Sequence, residues 1–131
     1  MYKRQGYCQI DATRLGGVND VLAVILLAKK YKVPVCPHGG GIGLCNMILH
    51  YAIWDQIKVA SHSTNQLVEY AEFLQDEVFI NPIQVKDGSY ITPQSYGWGL
   101  EMHKEFLRMY EYPIGDIWKD RVASGSITFL P

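Results

Sequence analysis

Two stretches, YCQIDATRLGG at 7–17 and VPVCPHGGGIG at 33–43, decide how this chain folds. Each is a short apolar run that ends in a polar residue and then in glycine: Asp11 closes the first and His38 closes the second. Between them, Val18, Val21, Leu22, Val24, Ile25, Leu26 and Ala28 recur at helical spacing, with Asn19 and Asp20 at the start and Lys29, Lys30 and Lys32 at the end, as the helix dipole favours. Strand, helix, strand is the βαβ unit, in which parallel neighbours lie about 4.8 Å apart and corresponding strand ends face one another. The spacing therefore predicts Asp11 beside His38.

A carboxylate next to an imidazole has a defined use. It fixes the tautomer and orientation of the ring and leaves the other nitrogen free to move a proton at a substrate. A structural histidine held by a buried aspartate is the alternative. The position of both residues at the carboxyl ends of parallel strands, where α/β proteins bind ligands, favours the general acid/base dyad. Gly39, Gly40, Gly41 and Gly43 then let the backbone pass close to a ligand or simply make a tight turn into a helix predicted over 44–54.

Farther along, Ile57–Ala60 reads as a third strand ending in the polar cluster 61–65, and Leu67–Leu74 as a short helix. From Phe79 onward glycine, proline and aromatic residues dominate. Asp87-Gly88 marks a hairpin turn between residues 83–85 and 90–91, and 100–110 reads as one more helix. Trp98, Phe106, Tyr112 and Trp118 call for burial in a C-terminal wrap.

Composition narrows the function classes. The chain has 131 residues and a formal net charge of −1, which provides no electrostatic footprint for nucleic acid or an anionic membrane. No run of 18 apolar residues marks a membrane span, and the start reads as neither a signal nor a transit peptide. The three cysteines, Cys8, Cys36 and Cys45, form no CxxC pair and no zinc spacing, and point to a reducing compartment. The HGGG run at 38–41 matches the oxyanion loop of esterases, but the G-x-S-x-G nucleophile turn is missing. A dinucleotide fingerprint fails at Asn46, and there is no GK[ST] phosphate loop. His50 and His103 read as packing or surface residues, and His62 falls in the polar cluster.

The run QIDATRLGGVNDVLAVILLAKKYKVPVCPHGGGIGLCNMILHYAIWD resembles the sixth and seventh strand-helix units of the enolase superfamily, mandelate-racemase-like branch, and in particular its L-fuconate dehydratases. The likeness extends from about Gly6 to Trp118. It implies the C-terminal portion of a modified (β/α)7β barrel, with about three parallel strands, two to three helices and an extension carrying a hairpin. Residues 1–66 would be the barrel units and 67–131 the helix, hairpin and wrap of the same domain. The capping domain and earlier strands would lie before Met1.

The resemblance also implies a chemistry. An acid-sugar substrate binds Mg²⁺ through its carboxylate, a lysine removes the adjacent proton, and the 3-hydroxyl leaves as water. His38 would be the acid that protonates that hydroxyl, oriented by Asp11, with Gly39, Gly40 and Thr64 against the substrate. No metal ligand is expected in this chain, since the lysine and the three carboxylate ligands belong to earlier strands. The implied partners are the small substrate, the rest of the barrel with its capping domain, and in the complete protein a homo-oligomer. The implied compartment is mitochondrial or cytoplasmic. Departures from the family pattern are Thr64 for a glutamate, Gln66 for an arginine, Asn46 for a glutamate and Gly39 for an alanine. A different reading makes the chain a noncatalytic binding or oligomerisation module.

Overall fold

The computed structural model describes residues 6–60, 66–71 and 75–127. They fall into two compact units, one formed by 1–73 with 83–99 and the other by 74–82 with 100–131.

The first unit is built on a parallel backbone pairing. Cys8 N–H donates to the Pro34 carbonyl at 2.8 Å, Cys36 N–H to the Cys8 carbonyl at 3.0 Å, and His38 N–H to the Ile10 carbonyl at 2.8 Å. Cys8 pairs with Val35 in parallel. Helix α1 (Val18–Lys30) makes the crossover between the two segments. Its start is tied by Gly16 N–H, which donates to the Asp20 carboxylate at 2.9 Å. Its apolar stripe buries Val21, Ile25 and Ala28 against Val35, Tyr51 and Val59, with Cys8, Ile10, Leu15 and Trp54 packed around them. Leu26 and Leu27 on the same helix remain 53% exposed.

Helix α2 (Leu44–Trp54) has the bounds expected from the sequence, and Gly43 at its cap takes φ +75°, a left-handed conformation that glycine adopts without strain. The expected third strand is absent: Asp55–Ala60 continues α2 as a π-helical turn. A four-residue stretch such as Ile57–Ala60 is too short to distinguish strand from helix by periodicity, and no glycine or proline interrupts 44–60. The helical form buries Val59 and Asp55, whose carboxylate accepts from Gln66 Nε2 at 2.8 Å. Lys29 Nζ caps the last turn through the Ala60 carbonyl at 3.1 Å.

The second neighbour of residues 33–38 comes from farther along the chain. Glu69 N–H donates to the Pro37 carbonyl at 3.3 Å, on the edge opposite Cys8 because successive peptide groups of an extended chain point to alternate sides. Residues 66–71, the described part of the helix expected over 67–74 and the residue before it, form no helix, and 72–74 lie outside the described residues. The hairpin pairs β1 (Val85–Lys86) with β2 (Ser89–Tyr90). Its turn residues Asp87 and Gly88 have φ of 51° and 72°, as a type I′ turn demands.

In the second unit, α3 (Gln75–Val78) leads into an antiparallel contact of Phe79 with Met102, and Val78 and Phe79 are buried. Helix α4 (Lys104–Tyr110) covers the second half of the stretch expected to be helical. Helix α5 (Asp116–Ala123), which the sequence did not suggest, packs against it. Trp118 Nε1 donates to the Tyr110 carbonyl at 2.9 Å and the indole meets Tyr112 edge-on. Full burial of the large aromatics is not achieved: Trp98 is 49% and Tyr112 66% exposed.

The first unit is thus an α/β arrangement, a parallel pairing joined by the crossover helix α1. Ile25 is 1% exposed at the centre of the first unit's core, so Ile25→Ala is expected to cost about 2–5 kcal/mol through the lost methylenes and the cavity they leave. Urea denaturation followed by far-UV circular dichroism checks this.

Candidate active site

The parallel pairing brings Asp11 and His38 to one rim. The last rung, His38 N–H to the Ile10 carbonyl, sets the residue after Ile10 next to His38. Asp11 Oδ2 lies 3.4 Å from His38 Nδ1. That is ion-pair distance without hydrogen-bond alignment, and Nδ1 has no hydrogen-bond partner among the described residues.

Asp11 is held by its own turn. It caps the 3₁₀ helix Ala12–Arg14, with Oδ1 accepting from Thr13 N–H at 2.9 Å and from Thr13 Oγ1 at 2.6 Å. Oδ2 accepts from Arg14 Nε at 3.2 Å. The Thr13 hydroxyl and amide hold the Asp11 carboxyl below its ordinary range, with smaller contributions from His38 and Arg14. A carboxylate two residues before a threonine is a recognisable Asx-turn pattern, so Thr13 was within reach of sequence reasoning, which passed over it.

The other edge of the imidazole faces Glu69, a residue that sequence reasoning missed. Glu69 Oε2 stands 3.7 Å from His38 Nε2 and accepts from Gly39 N–H at 2.7 Å. The main chain of Glu69 is pinned as well, since its carbonyl accepts from the Tyr90 hydroxyl at 2.6 Å. Burial pushes the Tyr90 hydroxyl well above its ordinary range, so it stays a donor. The Cys45 thiol lies against the same loop, 3.3 Å from the Gly39 carbonyl. Burial and the charge of Glu69 push the Cys36 thiol up.

Two of the glycines are fixed by these neighbours. A Cβ on Gly40 would sit 2.7 Å from His38 Nε2, and a Cβ on Gly39 2.6 Å from the Glu69 carbonyl and 3.1 Å from Cys45 Sγ. Both line the space around His38. Thr64 lies outside the described residues. His50 takes no part in this rim; its Nε2 is 3.1 Å from the Trp98 carbonyl.

Magnesium does not fit what is present. Among the described residues no group of three His, Cys, Asp or Glu side chains could hold a metal ion. Asp11 and Glu69 bracket the imidazole from opposite edges, and the oxygens of Asp11 are taken by Thr13, Arg14 and His38, so the carboxylates do not converge on one point.

A family model described as Enolase C-terminal domain-like matches residues 3–106. The chain belongs to that family. Its relatives in the family include the L-galactonate dehydratase of Hypocrea jecorina, 46% identical over 106 residues, which are 81% of this chain and 23% of that protein. The crystal structure of human mitochondrial enolase superfamily member 1 superposes with a TM-score of 0.79 at 42% identity, covering 88% of this chain and 26% of that one. L-Talarate dehydratase from Polaromonas sp. JS666, solved with Mg and L-glucarate, gives a TM-score of 0.58 at 25% identity over 76% of this chain and 25% of that one. The chain thus spans about a quarter of the length of the curated relatives it matches.

Two expectations follow from the geometry of this enolase-type rim. Asp11 stays ionised to lower pH in the folded chain than in the unfolded one, so its contribution to stability is complete above the ordinary carboxylate pKa of about 4 and is lost as pH falls through the lower folded value. Thr13→Val is expected to move the Asp11 carboxyl back up toward that ordinary value, read from its ¹³C titration. Gly39→Ala is expected to push residues 66–71 off residues 37–39, read as faster hydrogen exchange at the Glu69 amide.

Proposed function

We propose that this chain is the proton-delivering part of an acid-sugar dehydratase, with His38 as general acid and Asp11 as its positioning partner. The observation that carries this reading is the 3.4 Å approach of Asp11 to His38 Nδ1 at the carboxyl ends of two parallel segments. Asp11 on the Nδ1 side favours the doubly protonated imidazolium, whose Nε2 proton is the one available for transfer. When the carbon-oxygen bond to the 3-hydroxyl breaks, Nε2 gives its proton to the departing oxygen, which leaves as water. Residues 1–66 supply the strand ends in this reading and 67–131 close the same domain, with Gly39, Gly40 and Thr64 near the substrate.

The lysine base and the oxygen ligands for Mg²⁺ would come from outside this chain. The substrate class rests on the names of the relatives, an L-galactonate dehydratase and an L-talarate dehydratase. L-Fuconate, which lacks only the terminal hydroxyl of L-galactonate, is the proposed substrate, and the name of the human relative supports a mitochondrial setting.

The 131-residue chain alone is expected to dehydrate neither sugar acid in the presence of Mg²⁺. Placed in the Hypocrea jecorina enzyme in exchange for the matching quarter, it is expected to support dehydration. In that chimera His38→Ala should lower the rate on the order of 10²-fold or more, and Asp11→Asn should lower it through the wrong tautomer without unfolding the protein. An active chimera indifferent to both substitutions would remove the assignment. The half-exposed Leu26 and Leu27 on α1 favour a second reading, a module that associates through apolar surface. A discrete oligomer of the isolated chain in size-exclusion chromatography would support it.

A further inference from the structure

Glu69 puts a carboxylate into the mouth of the site and holds it there by contacts that a carboxylate from solution could make equally well. One oxygen accepts from Gly39 N–H at 2.7 Å and stands 3.7 Å from His38 Nε2. The main chain beneath is anchored separately, by Glu69 N–H to the Pro37 carbonyl at 3.3 Å and by the Tyr90 hydroxyl to the Glu69 carbonyl at 2.6 Å. The carboxylate can therefore swing out about its side-chain torsions while the backbone stays in place. The way out is open, since the side chains of His38 and Glu69 are 35% and 36% exposed.

The seat is shaped for an anionic oxygen. Gly39 N–H bonds the Glu69 oxygen while His38 Nε2 stands within ion-pair reach of the same oxygen, and Gly40 has no room for a Cβ beside that ring nitrogen. Hydrogen bonds from such donors to an ionised acceptor are the stronger class. We infer that Gly39 N–H and His38 Nε2 form a binding seat for a small free carboxylate, which Glu69 fills as an internal ligand and vacates when an external one binds. This concerns binding by the chain itself, and it stands whether or not His38 delivers a proton to a substrate.

Glycolate, a minimal hydroxycarboxylate, is the probe. The ¹⁵N-labelled 131-residue protein is titrated with sodium glycolate at constant ionic strength, with sodium chloride as control, while the Gly39 amide and the His38 side-chain nitrogens are followed. In Glu69→Ala the Gly39 amide is expected to shift saturably, at a midpoint at least about tenfold lower than in the parent chain, because an internal competitor has been removed. Glu69→Gln, which keeps the size of the side chain and removes its charge, is expected to move the same way should the alanine variant not fold. In the parent chain at high glycolate, the Glu69 carboxylate carbon must shift together with the Gly39 amide. Equal midpoints in parent and variants, no saturable shift at Gly39, or the same shift with chloride would each overturn the seat.

Discussion

Three backbone hydrogen bonds between residues 8–10 and 34–38 bring Asp11 and His38 together in the first unit. Parallel pairing needs a crossover, and α1 supplies it while burying Val21 and Ile25 against the paired segments. Because both segments run the same way, their carboxyl ends lie side by side, and the residues that terminate them meet. A one-residue slip would turn Asp11 or His38 to the other face. The ladder thus selects which polar side chains share a rim, and the apolar stripe of α1 keeps that register.

The rim has an acidic character on both edges of one imidazole. Asp11 is fixed within its own turn by Thr13, while Glu69 comes in on a distant segment that occupies the free edge of residues 33–38. The two carboxylates differ in what they can do. Asp11 spends its oxygens on Thr13, Arg14 and His38 and is a fixed support. Glu69 rests on a single amide hydrogen bond, at the side of the ring where a substrate oxygen would arrive. The chain that carries this arrangement belongs to the Enolase C-terminal domain-like family.

Much of this was legible beforehand. The spacing of apolar residues in α1, the glycine-rich entry to α2, the Asp87-Gly88 turn and the adjacency of Asp11 and His38 all follow from local pattern and from the handedness and direction of a βαβ unit. Where local pattern is ambiguous, the reading failed. The run at 57–60 is equally compatible with strand and helix, and it became helical because Val59 joins the core and Lys29 caps the end. Helix α5 was passed over because half of its eight residues are charged. Glu69 could not be foreseen, because nothing in residues 66–71 announces that they will line up beside residues 37–39.

By itself the sequence determined the secondary elements with strong periodicity and the one pair of side chains that a parallel crossover must juxtapose, since both depend on spacing along the chain. Tertiary structure alone decided what lies on the far edge of His38. That edge is filled by a segment some thirty residues downstream, whose position depends on the Tyr90 hydroxyl, on the missing Cβ of Gly39 and on the helical course of residues 55–60. Contacts of that kind are set by packing between distant parts of the chain, and no local pattern encodes them.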